Sequence, residues 1–253
     1  MTRFVTALSL IALVALLGGC SSDDVTGPAP AAPALGGEHA IDGYMAIADA
    51  QGKNMNPRII PPHAHPGGRS YAEWSVSWWR WLISIPIDEN PGLDTDGSFV
   101  ALNQSGHVWF LAPNYAQGAV DVRTATIPPG KMLFIDIAAF VGSPGIGDPS
   151  DPDELYEVLA EAVEGIVEIV FEVDGHLLED IEDYRVASPL FELEFPEDNV
   201  FGAEPGTYYP SAAEGYYAML APLSAGEHTI HIYADFGEIF GTSEVTFYLT
   251  VGH

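Results

Sequence analysis

Apolar and polar positions along this chain follow two different periods, with one stretch at the start that follows neither. Phe4 to Leu17 is an almost unbroken apolar run behind the single charge of Arg3, and Gly18, Gly19 and Cys20 follow it. A short basic start, an apolar middle and small residues before a cut site predict a secretory signal over residues 1–19. The run is shorter than the ~20 residues a bilayer-spanning helix needs. Residues 20–37 are rich in Ser, Asp, Pro, Ala and Gly, with almost nothing to bury, and Pro28, Pro30 and Pro33 favour extended backbone. They predict a flexible tether, leaving residues 38–253 as a single β-rich domain.

The helical period comes next. Ile59 to Gly68, with Pro61, Pro62, Pro66 and two glycines, reads as a loop. Ser70 and Glu73 form a Ser-x-x-Glu capping box. Behind it Tyr71, Trp74, Trp78, Trp81 and Leu82 fall on one helical face, with Glu73, Ser77 and Arg80 opposite and Trp79 at the edge of the stripe. Pro86 ends that helix. A second, short helix is expected from Pro152 to about Gly165, with Asp151 as N-cap and Asp153 and Glu154 suited to the positive end of its dipole.

The remaining signal has period two. Phe99–Leu102, His107–Ala112, Ala119–Ile127, Met132–Phe140, Ile166–Val173, Arg185–Phe195 and Gly215–Leu223 are β-prone runs separated by Gly, Pro and Asn turns. Asp174-Gly175 is a strong hairpin signal. Near the C-terminus Ile230, Ile232 and Ala234, then Val245, Phe247, Leu249 and Val251, alternate with polar partners. Together these predict a mainly β fold, an antiparallel β-sandwich of jelly-roll or Ig-like type, with the Trp-rich helix plugging one end or covering one sheet.

Two resemblances attach to these residues. Leu17-Gly-Gly-Cys20 resembles the lipobox of bacterial lipoproteins, which implies cleavage before Cys20 and acylation of its thiol. Cys20 is the only cysteine and so has no intramolecular disulfide partner. In diderm bacteria an Asp after the lipidated cysteine marks inner-membrane retention. Here the residue is Ser21, so the resemblance implies an exported protein held at the outer membrane by its lipid. Over about residues 70–251 the words Trp74-Ser-x-x-Trp78-Trp79-x-Trp81, Gln104-Ser-Gly-x-Val108-Trp109-Phe-Leu111 and Pro128-x-Gly-Lys131-x-Leu133-Phe134 resemble a group of exported bacterial proteins with no assigned activity. That resemblance brings no catalytic residues with it.

Charge narrows the partners. Asp and Glu number 36 against 8 Lys and Arg, a formal net charge of −28. Nucleic acid, which needs a basic footprint, is excluded as a partner. An anionic membrane surface would repel the domain, so contact with the membrane falls to the N-terminal lipid. The expected partners are then a glycan, a matrix polymer or another envelope protein. Asp148 to Glu204 is especially acidic and reads as a solvated face, as like-charge runs usually are.

The candidate chemistry is sparse. Trp79, off the centre of its stripe, and Trp109 are candidate ligand platforms, whereas Trp74, Trp78 and Trp81 read as core. His63 and His65, alternate residues in a segment expected to be extended, present two imidazoles for Zn²⁺ or Cu²⁺, with Asp136 and His107 as conceivable further ligands. Asp94 and Asp96, and Asp148 and Asp151, cluster carboxylates in loops as Ca²⁺ requires, though neither segment completes an EF-hand. There is no Gly-x-Ser-x-Gly elbow, phosphate-binding loop or dinucleotide fingerprint. The leading expectation is a lipid-anchored, non-enzymatic binding or structural module. The alternative is a metal-dependent hydrolase of an extracellular polymer, working through His63 and His65.

Overall fold

A computed structural model describes residues 59–252; the expected signal, Cys20 and the tether lie outside them. All but one of the period-two segments form strands. β1 (Ile59–Ile60), β2 (Val108–Leu111), β3 (Val120–Ile127), β4 (Met132–Gly142), β5 (Glu168–Val173) and β6 (His176–Leu177) come first. β7 (Arg185–Ala187), β8 (Phe191–Phe195), β9 (Gly206–Leu220), β10 (Gly226–Asp235) and β11 (Thr242–Val251) complete the set. They build two sheets, one of six strands around β9 and β4, and one of five in the order β3-β11-β10-β5-β6. The protein is a mainly β, two-sheet sandwich with a few helices.

The five-stranded sheet follows its sequence pattern closely. Ile230 lies opposite Phe247 and Ile232 opposite Val245, and all four are buried on the inner face. Asp174 and Gly175 join β5 to β6 with φ of 51° and 75°, the two positive values a type I′ hairpin turn requires. In the other sheet, β4 is buried from Leu133 to Gly142 and β9 from Pro210 to Leu220. Such continuous apolar strands are covered on both faces. One face meets the five-stranded sheet; the other is covered by the Trp-rich helix.

That helix, α1 (Tyr71–Ile83), starts with the expected capping box. The Ser70 N–H donates to Glu73 Oε2 at 2.8 Å, and the Glu73 N–H donates to Ser70 Oγ at 3.2 Å. Its apolar face meets Phe134, Tyr217 and Met219 on the outer side of the six-stranded sheet. A second core fills the space between the sheets, with Leu133, Ile135, Phe171, Ile230 and Phe247. α2 (Pro152–Glu164) contributes Leu155, Leu159 and Val163 to that core. A one-turn helix, α3 (Gly237–Phe240), links β10 to β11. None of the described helices is long and apolar enough to cross a membrane.

Three expectations are corrected. The pairing is not wholly antiparallel: β2 runs parallel to β4, and β3 parallel to β11. Alternation along a strand reports its faces and is silent on the direction of its neighbour. Arg185–Phe195 is two strands, because the pairing to β9 is interrupted after Ser188, at Pro189 and Leu190.

Phe99–Leu102 is a turn, not a strand. Asp94 organises that segment by accepting the backbone N–H groups of Asp96 (3.2 Å), Gly97 (3.0 Å) and Phe99 (2.8 Å). The resulting loop lies against the outer edge of β3, where the Thr124 N–H donates to the Asp96 carbonyl at 2.9 Å. Gly97 sits at φ 97°, and a Cβ there would overlap the Thr124 backbone. The loop therefore covers part of an edge that would otherwise invite another strand.

Candidate functional site

The carboxylates singled out for Ca²⁺ are occupied by their own backbone. Asp94 is 2% exposed and spends both oxygens on the three N–H groups above. Asp96 is exposed and accepts from the Ser98 N–H and hydroxyl. Asp151 Oδ1 caps α2 through the N–H groups of Asp153 and Glu154. Asp148 is buried and accepts the Ser143 N–H at 2.9 Å; burial pushes its carboxyl up to about 6. These are turn and cap geometries: Asp94 uses both oxygens on peptide donors, and Asp96, Asp148 and Asp151 use one each.

His63 and His65 do not occupy an extended segment. Pro62–Ala64 is a single 3₁₀ turn and His65 adopts a left-handed φ of 47°, so the two rings lose the common direction that alternate strand residues share. Both are exposed. Of the conceivable further ligands, His107 does lie beside this loop: a Cβ on Gly67 would fall 2.8 Å from its Nε2. Asp136 is elsewhere, buried under α1. Among the described residues no three His, Cys, Asp or Glu side chains are placed to hold one metal ion.

Trp79 is not a platform. It is wholly buried, and its Nε1–H donates to the Tyr217 hydroxyl at 2.9 Å. Each of the other helix tryptophans also uses its N–H to tie down chain outside the helix. Trp74 donates to Pro66 O, Trp78 to Leu111 O and Trp81 to Leu102 O, at 2.8, 3.0 and 2.9 Å. An indole buries a large apolar body and still demands one acceptor, so four of them pin α1 to its surroundings. Trp109 faces the core between the sheets at 8% exposure, with its Nε1 buried and unpartnered. Both platform expectations are thus corrected: the apolar stripe of α1 is wide enough to bury Trp79 at its margin, and Trp109 is on the inner face of β2.

Beneath α1 lies a polar cluster that no motif announces. Asp136 is fully buried on β4 and accepts the Tyr115 hydroxyl on Oδ2 at 2.7 Å; its Oδ1 has no partner. Burial drives its carboxyl up to about 7, against a smaller opposing effect of the Tyr115 hydrogen bond. Burial and the charge of Asp136 hold the Tyr115 and Tyr217 hydroxyls well above the ordinary tyrosine range. At neutral pH the carboxyl is poised between its neutral and charged forms, packed against the Tyr115 and Tyr217 rings.

A groove that faces solvent lies on the other side of α1. Its polar face, the segment Pro189–Glu192 and Tyr209 of β9 bound a groove of about 490 Å³. Tyr209 is 61% exposed. The Arg69 guanidinium lies over the Trp74 ring at 4.4 Å, and its Nη2 donates to the Glu73 carbonyl (2.6 Å) and Ser77 Oγ (2.8 Å). Arg80 donates from Nε and Nη2 to the Glu192 carbonyl, at 3.1 and 3.0 Å. Hydrogen bonds from the Ser70 N–H and hydroxyl hold the Glu73 carboxyl below the usual range, helped by nearby Arg69.

Arg80 is legible in the sequence as part of the polar face of α1. The opposing wall, contributed by β8 and β9 more than a hundred residues later, is not.

Fold and groove define a two-sheet β-sandwich with an open, mixed-charge, aromatic-lined surface cleft. No protein family and no curated protein matches this chain. Two solved structures show weak similarity. The complex of PbICP-C with falcipain-2 has 14% identity and a TM-score of 0.25, and the solution structure of Amebosin has 12% and 0.21. Each overlap covers 58% of this chain and 99% of the other. At those values neither likeness bears on function.

Proposed function

We propose that this is a lipid-anchored protein of the bacterial envelope, exported and held at the outer membrane through Cys20, and that its sandwich binds a glycan chain in the groove beside α1. The observation that carries the binding reading is the groove itself. An exposed tyrosine ring stands among two guanidinium groups and two carboxylates, Glu73 and Glu192. A flat apolar ring with planar, bidentate polar groups around it matches a pyranose, which presents an apolar face and a rim of hydroxyls. The groove is wide and open, which suits a polymer segment more than an enclosed small molecule. The anchoring reading is supported by Leu17-Gly-Gly-Cys20 and the proline-bearing tether behind it.

Two measurements on the intact, exported protein test the two halves. Metabolic labelling with a fatty acid should tag the wild type and leave Cys20→Ser unlabelled; equal labelling would remove the lipid anchor. Affinity electrophoresis through a panel of soluble polysaccharides should show retardation by at least one, relieved by Tyr209→Ala. Retardation by none would end the glycan reading.

A further inference from the structure

The charge inventory of the groove stands out against the rest of the chain. Among the described residues the basic side chains are Arg69, Arg80, Arg123, Lys131 and Arg185. Arg185 is ion-paired to Glu214 at 2.6 Å. Arg123 is buried, donates to the Pro91 and Ala112 carbonyls, and sits 3.5 Å from Asp121. Lys131 donates to the Gly106 carbonyl. Arg69 and Arg80 both line the groove, and neither forms an ion pair among the described residues. In a chain with 36 acids, two guanidinium groups without an ion-pair partner on one surface stand out, even beside Glu73 and Glu192.

Both groups are also fixed in place. Backbone carbonyls, Ser77 Oγ and the Trp74 and Phe191 rings hold their planes, and part of each fork has no partner among the described residues. A guanidinium presented this way accepts a planar anion bidentately with little further loss of side-chain entropy. Arg69 precedes α1, but its Nη2 reaches Ser77 Oγ, three residues short of Arg80, so the two side chains converge on one part of the polar face, with Tyr209 also lining the groove. Two such groups along an open groove suit a polymer with repeated charges.

We propose that the groove ligand is an acidic, carboxylate-bearing polysaccharide, whose successive uronate groups dock on Arg69 and Arg80 while a sugar ring stacks on Tyr209. This rests on the glycan reading above and adds its charge class. Glu73, held by the Ser70 N–H and hydroxyl, keeps its charge in the groove, and the two guanidinium groups have to offset it. Glu192 remains to accept sugar hydroxyls. The −28 net charge repels a polyanion at long range, but ionic screening confines that repulsion to about 8 Å at physiological salt, leaving the short contacts in the groove to decide.

The test uses oligomers of galacturonic acid and the same oligomers fully methyl-esterified, which differ in charge and little else. Binding to the intact protein is followed by calorimetry at physiological salt. The expected result is binding of the acid form, at least tenfold weaker binding of the ester, and a similar loss in Arg69→Gln/Arg80→Gln, whose folding is checked by its melting temperature. Should that variant fail to fold, the acid-against-ester comparison on the wild type still decides. Equal binding of both forms, weakened by Tyr209→Ala, would overturn the acidic assignment and keep a neutral-glycan groove. Binding of neither form, with a neutral polysaccharide retained, would overturn it as well. If no saccharide binds, the glycan reading itself fails.

Discussion

Asp136 offers a direct thermodynamic test of the layer between α1 and the six-stranded sheet. Burial raises its carboxyl from 3.8 to about 7 in the folded protein. Below about pH 4 the group is protonated in both folded and unfolded chains, and it costs nothing. Between 4 and 7 the unfolded chain ionises first, so stability falls by about 1.4 kcal/mol per pH unit. Above 7 the penalty levels off. The shift of roughly three units corresponds to about 4 kcal/mol, undiminished by solvent screening because the group is fully buried. Asp136→Asn removes the titration and keeps an acceptor for the Tyr115 hydroxyl.

The new amide nitrogen takes the place of the unpartnered Oδ1, at a cost of about 1–3 kcal/mol that does not change with pH. The variant should therefore be no more stable than wild type at pH 4.5, and more stable by about 1–3 kcal/mol at pH 7.5. The difference between the two should grow by about 3 kcal/mol across that interval. Urea unfolding followed by tryptophan fluorescence at each pH measures it, and other titrating groups, Asp148 included, cancel in the subtraction. A difference that stays constant with pH would refute the reasoning, since it would mean that Asp136 is hydrated and ionised in the folded protein.

Three further outcomes are expected. Gly97→Ala should lose at least about 2 kcal/mol, from strain at positive φ and overlap with Thr124. Gly106→Ala, at φ 68° with nothing within 4 Å, should lose only about 1 kcal/mol; equal losses would remove the packing of this loop on β3. Asp151→Ala should cost about 1 kcal/mol through the lost N-cap of α2, with faster hydrogen exchange confined to its first turn. Chelation, added Zn²⁺ or Ca²⁺, and the His63→Ala/His65→Ala pair should all leave the melting temperature unchanged. A metal-dependent rise lost in that double variant would instead show a site.

What the chain determined by itself is local. Ser70 with Glu73, Asp151 ahead of Pro152, Asp174-Gly175 and the alternation along β10 and β11 each act within a few residues, and each appears where its pattern puts it. Trp74, Trp78 and Trp81 are core for the same reason: helical period assigns a face before any partner is known. Tertiary structure decided what depends on the partner. Trp79 is buried because Tyr217, more than a hundred residues away, meets its N–H; Phe99–Leu102 turns because Asp94 collects its peptide donors; β2 and β3 run parallel to neighbours the period cannot orient. Asp136 looks in sequence like any other of many acids. Its altered chemistry arises only when α1 closes over it, because desolvation is a property of surroundings and not of spacing. The groove has the same origin, one wall written in α1 and the other brought to it by β8 and β9.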